Sequence, residues 1–135
     1  MTTRTAACCC GQLSITVRAE PLGVGVCHCL ACQRRTGSTF AEIASFPAPF
    51  EVTGRATEYI RTGDAGARFR FRFCPICGTN LFHTEEGENG RSVGVAVGAF
   101  ADPSFPAPQV SIYDSRRHPW VQLPPGARAY DKDPD

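Results

Sequence analysis

The sequence predicts a mainly β protein, and three observations carry that prediction. Apolar residues recur with period two in five short stretches, turn residues punctuate the chain, and almost nothing shows the 3.6-residue period of a helix. With 13 glycines and 11 prolines in 135 residues, long helices have little room.

Taken in order, Leu13, Ile15 and Val17 read as one half-buried strand, and Phe50 with Val52 as a second. Phe69, Phe71 and Phe73 form a third, Val93, Val95 and Val97 a fourth, and Val110 with Ile112 a fifth. In the third, the phenylalanines are assigned to the core and Arg68, Arg70 and Arg72 to the opposite face. There the arginines are either a solvated strand face or a row that holds carboxylates. Residues 29–36, followed by Gly37, are the exception: a helical turn or two, closed by a glycine in the left-handed region. No repeat of 20–50 residues is visible, so residues 1–135 read as one domain, with about 126–135 a polar, loosely held tail.

Charge narrows the function classes. Fourteen basic residues face 13 acidic ones for a net charge of +1, and Lys132 is the one lysine, which argues against nucleic acid as a partner. No apolar run approaches the roughly 18 residues that cross a bilayer, so no membrane partner is expected. The first seven residues lack the apolar core of a signal peptide, which predicts a cytoplasmic location. In a reducing cytoplasm, clustered cysteines bind metal or do chemistry more often than they pair.

The eight cysteines fall into three groups. Cys8 and Cys10 form a C-x-C pair before Gly11, and Cys74 and Cys77 form a C-x-x-C knuckle before Gly78. In an extended segment Cys8 and Cys10 share a face, so the two pairs offer four thiolates to one tetrahedral zinc. The middle group, Cys27, Cys29 and Cys32, supplies three. A zinc with three protein ligands keeps a position open for water or substrate. The alternative is a closed structural site completed by His28, Cys9 or a distant side chain. Cys9 is left over and reads as a buried small hydrophobe. His83 and His118 stand alone and read as structural. Arg34 and Arg35 follow Cys32 after Gln33, either near the open metal or simply exposed.

The order C-x-C-G, then C-H-C-x-x-C with a following Thr-Gly, then F-C-x-x-C-G-T-x-L-F resembles the glutathione-dependent formaldehyde-activating enzyme family, also called centromere protein V-like. Ser111-Ile112-Tyr113 and Pro119-Trp120-Val121 extend the likeness, so it covers nearly the whole chain. The resemblance implies an Mss4-like fold of stacked antiparallel sheets with zinc-binding turns, and two zincs per chain. It places Cys8, Cys10, Cys74 and Cys77 on a structural zinc, and Cys27, Cys29 and Cys32 on a catalytic one. It implies a carbon–sulfur lyase that joins a small-molecule thiol such as glutathione to an aldehyde such as formaldehyde, giving S-hydroxymethylglutathione. The competing reading is a non-catalytic, zinc-stabilised protein-binding module with both metal sites structural.

Overall fold

The computed structural model describes residues 2–132. Strands β1 (Arg4–Ala7), β2 (Ser14–Val17) and β5 (Phe50–Thr53) make a three-stranded antiparallel sheet with β2 in the middle. A larger sheet contains β3 (Gly23–Cys27), β4 (Ala41–Pro47), β6 (Thr57–Thr62), β7 (Arg68–Phe73), β8 (Asn80–Glu85), β9 (Ser92–Ala96), β10 (Val110–Ile112) and β11 (Arg128–Ala129). Its spatial order is β11-β10-β3-β4-β9-β8-β7-β6. The expected antiparallel pairing holds except at β10, which runs parallel to both β3 and β11. The long stretch between β9 and β10 brings the chain back beside β3 in the direction of β3, which a tight hairpin cannot do.

The two sheets stack, as in the Mss4-like architecture. Leu13, Ile15 and Val17 are fully buried and meet Val24, Ala44, Phe46, Leu81, Val93 and Val95 of the large sheet in one core. Phe46 is wholly enclosed, and truncating it to alanine is worth about 3–5 kcal/mol. β3 reads Gly-Val-Gly-Val: Val24 points into this core, Val26 is buried on the same face, and the glycines take the outer face, where Gly25 lies against the carbonyl of Val110.

Period two located the strands better than their faces. Phe50 packs against the core, but Val52 is 45% exposed because β5 is an edge strand. On β10 the faces are reversed: Ser111 is fully buried and donates to Asp114 at 2.8 Å, while Val110 and Ile112 are half-buried. The phenylalanines of β7 stay out of the main core. Glu58 on β6 and Glu86 beyond β8 form ion pairs with Arg70 and Arg72 on one face of β7. Phe69 and Phe71 take the other face, against Tyr59, His83, Arg35 and Arg61. The carboxylates held by these arginines are therefore the protein's own.

Helix α1 (Leu30–Thr36) occupies the expected place, and Gly37 ends it at φ 71 with its N–H on the carbonyl of Gln33. The stretch expected to be a loose tail is hydrogen-bonded through β11 as far as Tyr130, whose N–H donates to Ser111 and whose carbonyl accepts from Asp114. Residues 133–135 of that stretch lie outside the described residues.

Candidate metal and thiol site

Cys8, Cys10, Cys74 and Cys77 come together from two loops more than sixty residues apart in sequence. The first is a turn rather than the extended segment the C-x-C spacing suggested: Cys8 N–H donates to the carbonyl of Leu13 and Gly11 N–H returns to the carbonyl of Cys8. The second closes with Gly78 at φ 78, its N–H on the carbonyl of Cys74. A hydrogen bond from Cys9 N–H to Thr79 Oγ1, 3.1 Å, ties the two loops together.

The sulfurs of this group are spaced for a tetrahedral ion. Sγ of Cys8 and Cys10 lie 3.6 Å apart, and those of Cys10 and Cys74 3.7 Å apart. Metal–sulfur bonds of about 2.3 Å in a tetrahedron put sulfurs about 3.8 Å apart. Donors surround the sulfurs. Cys74 Sγ accepts from the N–H groups of Ile76 and Cys77 and from Gln12 Nε2, and Cys8 Sγ accepts from Leu13 N–H. Such donors favour thiolate over thiol. Hydrogen bonds from Thr79, side chain first, then backbone, bring Cys77 down to about 5. The backbone of Gln12 lowers Cys10, but partial desolvation and hydrogen bonds with Cys8, Cys74 and Cys77 push it up to about 11. Four sulfurs this close cannot all ionise without a counter-charge, which a divalent cation supplies.

Cys27, Cys29 and Cys32 form the second group, with their sulfurs within 4.8 Å of one another. Cys27 ends β3, Cys29 caps α1 with its sulfur accepting from Cys32 N–H at 3.2 Å, and Cys32 sits in the first turn. Hydrogen bonds with Cys27 and then Cys32 hold the Cys29 thiol far below its usual value, and those with Cys29 and Cys32 push Cys27 far above. Neither His28 nor Cys9 joins this group. Alternation along β3 turns the His28 ring to the other side, where it is fully buried against Phe40. Cys9, expected to be buried, is exposed, because the turn that converges Cys8 and Cys10 pushes the residue between them outward.

Two guanidinium groups stand over the second set. Arg35, on the last turn of α1, donates from Nη2 to Cys32 Sγ at 3.9 Å, and its Cζ lies 4.3 Å from the Phe71 ring centre. Arg61, on β6, lies 5.3 Å from the same ring. Burial works against the Arg61 charge, but attraction to Cys32 and Cys29 outweighs it and raises Arg61 above its ordinary value. Sequence reasoning singled out Arg35 and missed Arg61; the available signal was its two-residue offset from Tyr59, which puts both on the Phe71 side of the sheet. Arg34 points outward beside His118 and Trp120. His118 is fixed by Gln33, 2.9 Å away.

A cleft of about 360 Å³ runs from Arg35 and Thr36 past Phe40 and Glu42 to Thr79 and Asn80, between α1 and the Cys74 knuckle. Burial raises the Glu42 carboxyl above its usual value. Among the described residues, no helix is long and apolar enough to cross a membrane.

Both cysteine groups could therefore hold a metal ion, one with four sulfurs and one with three. The chain is similar to a protein of Rhodobacter sphaeroides solved by crystallography, with 27% identity over 70% of this chain and 85% of that one and a TM-score of 0.51. No curated protein matches it. The glutathione-dependent formaldehyde-activating enzyme family matches residues 3–116, which include both cysteine groups. With that span matched, the chain belongs to the glutathione-dependent formaldehyde-activating enzyme family.

Proposed function

We propose that the protein is a cytoplasmic, two-zinc carbon–sulfur lyase that joins a thiol such as glutathione to an aldehyde such as formaldehyde, and splits the adduct in reverse. In this reading Cys8, Cys10, Cys74 and Cys77 hold a structural zinc, and Cys27, Cys29 and Cys32 hold the catalytic one. The observation that carries it is the unequal count: four converging sulfurs in one group, three in the other, the latter beside two guanidinium groups, one of which, Arg35, also lines a cleft. A zinc held by three thiolates supplies a position at which an incoming thiol loses its proton readily.

The chain's own residues do the rest. The first turn of α1 fixes Cys29 and Cys32 relative to each other through the Cys32 N–H. Phe71 holds both guanidinium groups near the sulfurs, where they favour an anion over a neutral ligand. The cleft beside Arg35 gives room for the substituents of the thiol and for a small aldehyde. In the forward direction a sulfur lone pair forms the bond to the carbonyl carbon. The π pair of the carbonyl passes to oxygen, which takes up a proton equivalent to the one lost by the thiol. Holding both partners in one cleft makes this addition effectively intramolecular.

The test is exchange NMR of glutathione with ¹³C-formaldehyde in the presence of zinc-loaded protein. The expected result is faster interconversion with the adduct than in buffer, lost together with one of two zincs in Cys32→Ala. Full zinc content and an undiminished exchange rate in Cys32→Ala would overturn the reading.

A further inference from the structure

The two cysteine groups differ in their surroundings as well as in their count. The four-sulfur group is surrounded by neutral donors: backbone N–H groups and the amide of Gln12. The three-sulfur group faces Arg35 and Arg61, and neither forms an ion pair with an acid among the described residues. Arg4, Arg18, Arg70, Arg72, Arg91 and Arg117 do, and the arginines that do not include Arg34 and Arg55, which are exposed, whereas Arg35 and Arg61 are partly buried. Glu42 shares the cleft with Arg35 yet makes no ion pair with it. Both guanidinium groups are partly withdrawn from water, and the Nε atom of each is buried without a hydrogen-bond partner. A charge so placed is costly unless something answers it.

Three thiolates around a divalent cation carry a formal charge of −1, and two guanidinium groups bring +2. The assembly is short of one negative charge. We propose that Arg35 and Arg61 are a charge-balancing pair, positioned by Phe71, that makes the Cys27–Cys29–Cys32 site select an anionic thiolate as its fourth ligand over a neutral one. This rests on reading that set as the thiol-binding zinc site. Phe71 is itself fixed, with Tyr59 stacked at 6.4 Å and His83 at 5.1 Å, so the two cations are held in place before a ligand arrives. Lysine at either position preserves the charge but loses part of the stacking; glutamine removes the charge and keeps much of the length.

Isothermal titration of the zinc-loaded protein with 2-mercaptoethanol and, separately, with imidazole tests this. Both are small, so contacts to the rest of a peptide thiol do not enter. The expected result is a thiol-to-imidazole affinity ratio that falls about ten-fold in Arg35→Gln and again about ten-fold in Arg61→Gln. Zinc stays at two per chain, and the ratio largely recovers in the lysine variants. An unchanged ratio in both glutamine variants with full zinc content overturns the proposal while leaving the lyase reading standing. Wild-type protein that takes up imidazole as readily as the thiol overturns it too. Thiol uptake that depends on the arginines, without faster adduct exchange, sinks the lyase reading and supports the charge pair.

Discussion

Sγ of Cys10 lies 3.7 Å from Sγ of Cys74, across 64 positions of sequence. This contact joins the turn before β2 to the turn after β7, and so ties the small sheet to the large one at a point where only loops meet. Metal energy gained there is folding energy. Chelation of zinc, or Cys74→Ser, is expected to cost at least about 3 kcal/mol, or roughly 10 °C in Tm. Calorimetry of metal-loaded and metal-stripped protein checks this, and an unchanged Tm contradicts it.

Gln12 supports the same group from outside. Its Nε2 donates to Cys74 Sγ at 3.1 Å and to the carbonyl of Arg55 at 2.8 Å, while its Oε1 accepts from Arg55 N–H at 2.9 Å. One side chain therefore orients a sulfur and fastens the loop after β5. Gln12→Ala is expected to weaken zinc at the four-sulfur site by about 10–100-fold, measured by competition with a chelator, with the three-sulfur site unaffected.

Gly94 on β9 lies under the ring of His83, its register partner on β8. A Cβ at Gly94 would run into Cε1 and Nε2 of His83 and press on Ile43 Cγ2 at 3.0 Å. Gly94→Ala is expected to destabilise by about 1–3 kcal/mol in denaturant titration. Adding His83→Ala should return part of that loss; strict additivity of the two changes would contradict the close approach.

His83 also sets a pH dependence. Burial first, then the charges of Arg35, Arg61 and Arg72, lower it from 6.5 to about 4. Because the folded value is depressed, the associated stability is present above pH 6.5 and is lost as pH falls through about 4, when the unfolded chain has already taken its proton. The loss is up to about 3 kcal/mol. Stability of His83→Gln should fall less steeply than wild type between those two values; parallel curves contradict the assignment.

The cysteine groups were legible because ligand chemistry restricts how seven sulfurs divide between tetrahedral ions, whatever the chain does between them. The helix at 30–36 was legible from its terminating glycine. Faces were harder. Alternation along β7 gives two sides but not which one is inside, and the decision rested on Glu58 and Glu86, distant in sequence from the arginines they pair with. β3 passed unnoticed because its outward positions are glycines rather than polar residues. The exposure of Cys9 followed from a turn at a place where spacing suggested extended chain. Arg61 has no cysteine near it in sequence; only the β6–β7 register brings it to the site.

The most direct test of the central claim, that Cys27, Cys29 and Cys32 hold a zinc open to a thiol, is zinc X-ray absorption of the loaded protein with and without glutathione. Four sulfurs at one site and three at the other give an average of about 3.5 per zinc. Glutathione should raise it to about 4, with the remaining light-atom ligand lost. An average already at 4 before glutathione is added, or one that glutathione leaves unchanged, would contradict the claim.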